Sequence, residues 1–138
     1  MANVFTKNFM VDGSRNTIVN IHGDADGTGE ESNRVIVDMS DLVSPSLRMK
    51  VIKLAWGGGT GTRMRLRFGD VGGQHETFFE TPDQTAGEMD WTVAGGLHNN
   101  NVPNPTGDIL LTTVGFDDAA DYLYLIIWLK KVRKTAGG

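Results

Sequence analysis

The chain has 138 residues, 39% of them hydrophobic, with no cysteine and a formal net charge of −4. That length suits one domain with a real core, spanning 1–138. The lack of cysteine excludes a disulfide framework and thiolate chemistry, and the acidic balance argues against a nucleic-acid binder. The opening MANVFTKNFMVDGSRN lacks the continuous apolar run of a secretory signal, and the longest apolar run elsewhere is too short to cross a membrane. Charge is unevenly spread. Up to Arg67 there are nine cations against seven acids; from Asp70 to Asp121 there are ten acids and no Lys or Arg.

In chain order, short strand patterns alternate with glycine-rich turns. Val4 to Met10 predicts a first strand, ended at Asp12-Gly13, and Arg15 to His22 a second. The loop from Gly23 to Asn33 is small and polar. Arg34 to Met39 predicts a strand, and Ser40 to Leu47, with Pro45, one helical turn. Arg48 to Trp56 predicts another strand, and the breaker Gly57 to Gly61 a hairpin loop. Thr62 to Phe68 has the cleanest alternation: Arg63, Arg65 and Arg67 face one way, and Met64, Leu66 and Phe68 the other. Weaker strands follow at His75 to Glu80 and Glu88 to Val93. GGLHNNNVPNPTGD reads as a long polar loop before the strand Asp108 to Val114.

The last pattern, DYLYLIIWLKKVRK, organises the rest. Its eight consecutive apolar or aromatic residues, Tyr122 to Leu129, favour a strand by composition. Leu123, Leu125, Ile127 and Leu129 then share one face, and Tyr122, Tyr124, Ile126 and Trp128 the other. A half-solvated strand should alternate with polar residues, so the second face calls for a cover. Two covers are available: an N-terminal arm, Val4 to Met10, or a second subunit. Aromatic residues concentrate at interface centres, which favours the subunit. With about eight strands and eighteen glycines, the expected fold is an all-β antiparallel sandwich or jelly-roll-like domain.

No constellation carries catalysis. His22, His75 and His98 lack zinc-site spacing, no GxSxG elbow occurs, and Gly57 to Gly61 lacks the ending of a phosphate loop. The segment Asp24 to Glu31 resembles the opening of a calcium loop but lacks the full ligand set. The expectation is therefore no cofactor and no bound metal. The Arg63, Arg65, Arg67 stripe reads as a solvated face paired with cross-strand carboxylates such as Glu76 or Glu80, and available to an acidic protein partner.

The segments VDGSRNTIVNIHGDADG and GGLHNNN…TGDILLTTVGF…DYLYLIIWLKK resemble those of small virion structural proteins of tailed bacteriophages. The resemblance covers the first and last thirds of the chain. It implies a head-associated, capsid-decorating or otherwise virion-bound β-domain without enzymatic activity, located in the virion after assembly in the host cytoplasm, and does not specify the part of the particle. Its partner would be the major capsid protein or another virion protein, with neither membrane nor nucleic acid bound, and it would act in many copies as a homo-oligomer. The expected interface residues are Tyr124, Ile126 and Trp128 together with Arg63, Arg65 and Arg67. The alternative is a sandwich that recognises a glycan or receptor from a tail or fibre. That reading uses calcium in the Asp24 to Glu31 loop and Trp56 or Trp91 as sugar platforms.

Overall fold

The computed structural model describes residues 3–13, 15–27, 29–43, 46–58, 62–81, 86–99, 101–116, 118–119 and 121–132. Among them are ten strands: β1 (Val4–Asp12), β2 (Asn16–Asp24), β3 (Arg34–Val37), β4 (Met49–Gly58), β5 (Arg63–Asp70), β6 (Glu76–Glu80), β7 (Gly87–Asp90), β8 (Leu97–His98), β9 (Pro105–Val114) and β10 (Tyr122–Lys131). The helical turn expected after β3 is a single 3-10 turn at Met39–Asp41, capped by the Asp38 carboxylate accepting from Ser40 N.

The strands form two antiparallel sheets. The larger, sheet A, runs β1-β2-β10-β4, with β7 and β8 pairing successive parts of β4; the smaller, sheet B, runs β3-β9-β5-β6. Their inner faces share one core. From sheet A come Val19, Ile21, Val51, Leu54 and the alternate residues Leu123, Leu125, Ile127 and Leu129; from sheet B come Met64, Leu66, Phe68, Ile109 and Leu111. Burying each such side chain contributes about 1.5–3 kcal/mol, so the inner face of β10 alone is a large part of the folding drive. β10 lies at the centre of sheet A between β2 and β4. The fold is an all-β sandwich.

Several expectations are corrected. Gly57 to Gly61 is no hairpin loop: β4 belongs to sheet A and β5 to sheet B, so the chain changes sheets there, with residues 59–61 outside those described. The polar stretch before Asp108 contains β8 and the start of β9, where Pro105 occupies a strand's first position, which needs no ladder donor. β7 ends at Asp90, short of the expected Val93, and Trp91 begins a turn closed by Gly96 N to Trp91 O at 2.9 Å. The N-terminal segment covers no face, because it is an edge strand paired with β2 over Val4–Asp12. None of the described residues forms a helix long and apolar enough to cross a membrane.

Candidate functional site: the outer face of the larger sheet

Strand register assembles the outer face of sheet A in rows, because directly opposed residues share a side. Val4, Asp24 and Tyr122 form the first row, and Thr6, His22, Tyr124 and Gly57 the second. Asn8, Asn20, Ile126, Ala55 and Glu88 form the third, and Val11, Ile18, Trp128, Lys53 and Asp90 the fourth. Lys130 follows, between Asn16 and Lys50. The face therefore grades from aromatic and polar at its Tyr122 end to aliphatic and aromatic around Trp128.

Tyr124 owes its place to Gly57. A Cβ at Gly57 would overlap the Tyr124 ring, so the missing side chain lets the ring lie across the neighbouring strand, 36% of the residue still exposed. Beside it His22 Nε2 and Asp24 Oδ1 are 3.2 Å apart. Trp128 and Ile18 are half-buried by their neighbours. The Lys53 ammonium sits 5.0 Å from the Trp128 ring centroid and 3.6 Å from Glu88 Oε2. The face thus combines half-exposed aromatic and aliphatic side chains with hydrogen-bonding groups around them.

The six residues expected at an interface do not come together. Tyr124, Ile126 and Trp128 lie side by side on the outer face of sheet A. Arg63, Arg65 and Arg67 lie on the outer face of sheet B, across the sandwich. There Arg65 pairs with Glu80, one of the two carboxylates expected, while Arg67 Nε donates to Thr77 Oγ1 at 2.9 Å and its Nη1 to Asn33 Oδ1 at 3.3 Å. Arg63 stands beside exposed Val114.

The glycan platform expected at Trp56 is also corrected. Trp56 faces the core, 6% exposed, with its ring 5.0 Å from Phe79, whose own ring is 5.7 Å from Trp91. The acidic loop spends its glutamates on the chain's own backbone and side chains. Glu30 accepts from Gly115 N and Phe116 N, each at 2.9 Å, and from the Thr113 hydroxyl; Glu31 accepts from Asn3 Nδ2 at 2.9 Å and Arg34 Nη1 at 2.8 Å. The three histidines are dispersed: His22 lies on β2, His98 on β8, and His75 Nδ1 accepts from Asp70 N. Among the described residues no group of three or more His, Asp and Glu could hold a metal ion.

Ile18, Asn20, His22, Lys53 and Gly57 are members of the face that the sequence did not single out. The alternation of Ile18, Asn20 and His22 carried their common side, but not the identity of the neighbouring strand.

No family model matches the sequence, and no curated protein matches it. Among solved structures the chain is similar to TmCBM61, a carbohydrate-binding module solved in complex with β-1,4-galactotriose. The identity is 14% and the TM-score 0.33, over 94% of this chain and 69% of that one. A likeness so distant carries no argument about function.

Proposed function

We propose that this chain is a non-enzymatic virion structural protein that decorates a phage capsid, docking on a shell protein through the outer face of sheet A. One observation carries the reading. The central strand of that sheet presents Tyr124, Ile126 and Trp128 outward, with Ile18 beside them, and the N-terminal segment, the alternative to a second subunit as their cover, lies at the sheet edge instead. Contiguous apolar surface of this kind on a small domain marks an interaction site. The phage-like segments at either end of the sequence supply the class of partner.

The test is Trp128→Ala. Because the ring lies on the outer face and is only half-buried, the isolated domain should lose well under the 3–5 kcal/mol of a core Trp→Ala change. Affinity for capsid particles should fall by about 2 kcal/mol or more, the scale of a hot-spot aromatic. A large loss of monomer stability with particle binding intact would reject the reading.

A second reading, saccharide binding on the same face, is favoured by one feature. Tyr124 lies across Gly57 with His22, Asp24 and Tyr122 around it, an exposed ring bordered by hydrogen-bonding groups. It needs neither Trp56 nor calcium. Screening the wild type and Tyr124→Ala on a glycan array tests it; a saccharide lost only in the variant supports it, and no bound saccharide sinks it.

A further inference from the structure

β1 is the outermost strand of sheet A, and only one of its edges is paired. β2 takes that edge from Val4 to Asp12; among the described residues no strand lies along the other. Several apolar side chains of the strand are exposed on its two faces: Val4, 59% exposed, and Val11 on the outer face, Phe9, 39% exposed, on the inner, with Met10, 55% exposed, at the irregularity between Phe9 and Val11. Phe9 stays open although it shares the inward side with Val19, whereas Phe5 at the other end lies under the Arg34 guanidinium of β3, 4.4 Å from its ring centroid. The smaller sheet thus shelters one end of β1 and not the other. The other sheet edges are short: four residues in β3, five in β6 with a glutamate at each end, four in β7 and two in β8. A nine-residue edge strand of mixed character, with no strand among the described residues along its open side, is long enough to be a template for another strand.

We infer that the strand it takes is β1 of a second copy of this chain, antiparallel about a two-fold axis through Thr6. The register follows from the sequence. Opposed residues in an antiparallel pair share a face, so the axis must pass through a residue and not between two. An axis at Lys7, the one charge between Val4 and Val11, would set ammonium against ammonium. At Thr6 the two threonines meet, a favourable cross-strand pair, Lys7 lies opposite the partner's Phe5, and Val4 opposite the partner's Asn8. That register uses the regular part of β1 and stays clear of the irregularity between Phe9 and Val11. The strand is its own complement there.

The two-fold runs perpendicular to the sheet, so sheet A continues across both copies and the two outer faces point the same way. On the docking reading above, which this consequence rests on, each dimer presents two Trp128 faces to one surface, and the second contact forms at an effective concentration set by the first. The dimer itself does not need that reading.

The 138-residue chain has no cysteine, so a single introduced thiol reports on the pair. Thr6→Cys should oxidise to a covalent dimer, because Cα atoms opposed across a ladder lie within disulfide range. Val93→Cys, fully exposed on the turn after β7, should not do so at the same concentration. Sedimentation equilibrium of the wild type at micromolar concentration should give twice the 15.0 kDa chain mass, and Thr6→Lys should give the single mass with an unchanged circular dichroism spectrum. A monomeric wild type, or equal cross-linking at positions 6 and 93, overturns the inference. Trp128→Ala keeps the dimer while weakening particle binding, so failure of the dimer and failure of the docking face are separable.

Discussion

Lys131 Nζ lies 2.9 Å from Asp12 Oδ1, with the lysine side chain fully out of solvent. Lys131 continues the inward side of β10 one step past Leu129, where the sequence suggested only the start of a basic tail. Its ammonium also donates to Gly13 O at 2.8 Å and to Val43 O, so all three protons are used. Asp12 in turn accepts from the Thr17 hydroxyl at 3.1 Å and Val43 N at 2.9 Å. The end of the last strand is thereby tied to the first hairpin and to the segment after the 3-10 turn. The two partners are unequal, because the Asp12 side chain keeps 17% exposure. Asp12→Ala leaves a buried ammonium with carbonyls alone and should cost about 3–5 kcal/mol. Lys131→Met leaves a carboxylate that still has water, Thr17 and Val43, and should cost about 2 kcal/mol or less. Urea unfolding at pH 7 gives the order, and the reverse order would contradict this account.

Acid sensitivity follows from four aspartates held below the usual carboxylate range. Burial pushes Asp12 upward, but the Lys131 bond, the Val43 N–H and the Thr17 hydroxyl outweigh it. Burial likewise raises Asp70, and the N–H groups of Gln74, Asn104 and Gly72 overcome it. At Asp38 and Asp90 the lowering comes first from the hydroxyls of Ser40 and Thr92. A carboxyl with a depressed folded pKa stabilises above its unfolded value of about 4, and that contribution is lost as pH falls through the folded value. The melting temperature should therefore depend little on these groups between pH 5 and 7, and fall below about pH 4. Asp70→Asn should lower it at pH 7 and make the acid slope shallower. An unchanged slope would remove Asp70 from the set.

Two glycines should respond differently to the same methyl group. Gly107, in the TGDI segment, has φ +82°, and a Cβ there would lie 2.5 Å from Ser46 O and 3.1 Å from Met39 Cβ. Backbone strain and a clash with fixed backbone add, so Gly107→Ala should cost about 2–4 kcal/mol. At Gly57 the atoms nearest to an added Cβ all belong to the Tyr124 side chain, whose ring can swing toward solvent. The cost of Gly57→Ala should be about 1 kcal/mol or less, since Ala loses less chain entropy than Gly in a strand. Chemical denaturation of both variants checks the contrast.

The division of β10 into core and outer sides, and of β5 into arginine and apolar sides, was legible because a period of two is written locally. What the period does not encode is the partner strand. Gly57 reads as a turn residue, yet its place is set by a tyrosine nearly seventy positions later. Trp56 reads as a sugar platform until β7 and Phe79 close over it. The two halves of the expected interface each had the right local side, but only the assignment of β5 and β10 to different sheets puts them on opposite faces. Lys131 reads as part of a basic tail by its charge, whereas its parity with Leu129 puts it on the inward side of β10.

That separation turns the arginine stripe into an independent prediction. A partner flat against Trp128 does not reach Arg65, so the stripe meets a different neighbour or none. Arg65 and Glu80 are both exposed, and such a pair is worth about 0–1 kcal/mol to the isolated fold. Arg65→Glu should therefore lower stability by about 1 kcal/mol or less, and the swap with Glu80→Arg should restore it. Arg63 has no ion-pair partner among the described residues, which leaves it for an acidic group on a neighbouring subunit. Arg63→Glu should leave unfolding unchanged and reduce the on-rate to particles, most at low salt, as rim charges do. Particle binding by Arg63→Glu with wild-type kinetics across a salt series would show that the stripe is only a solvated face, with Trp128 carrying the docking alone.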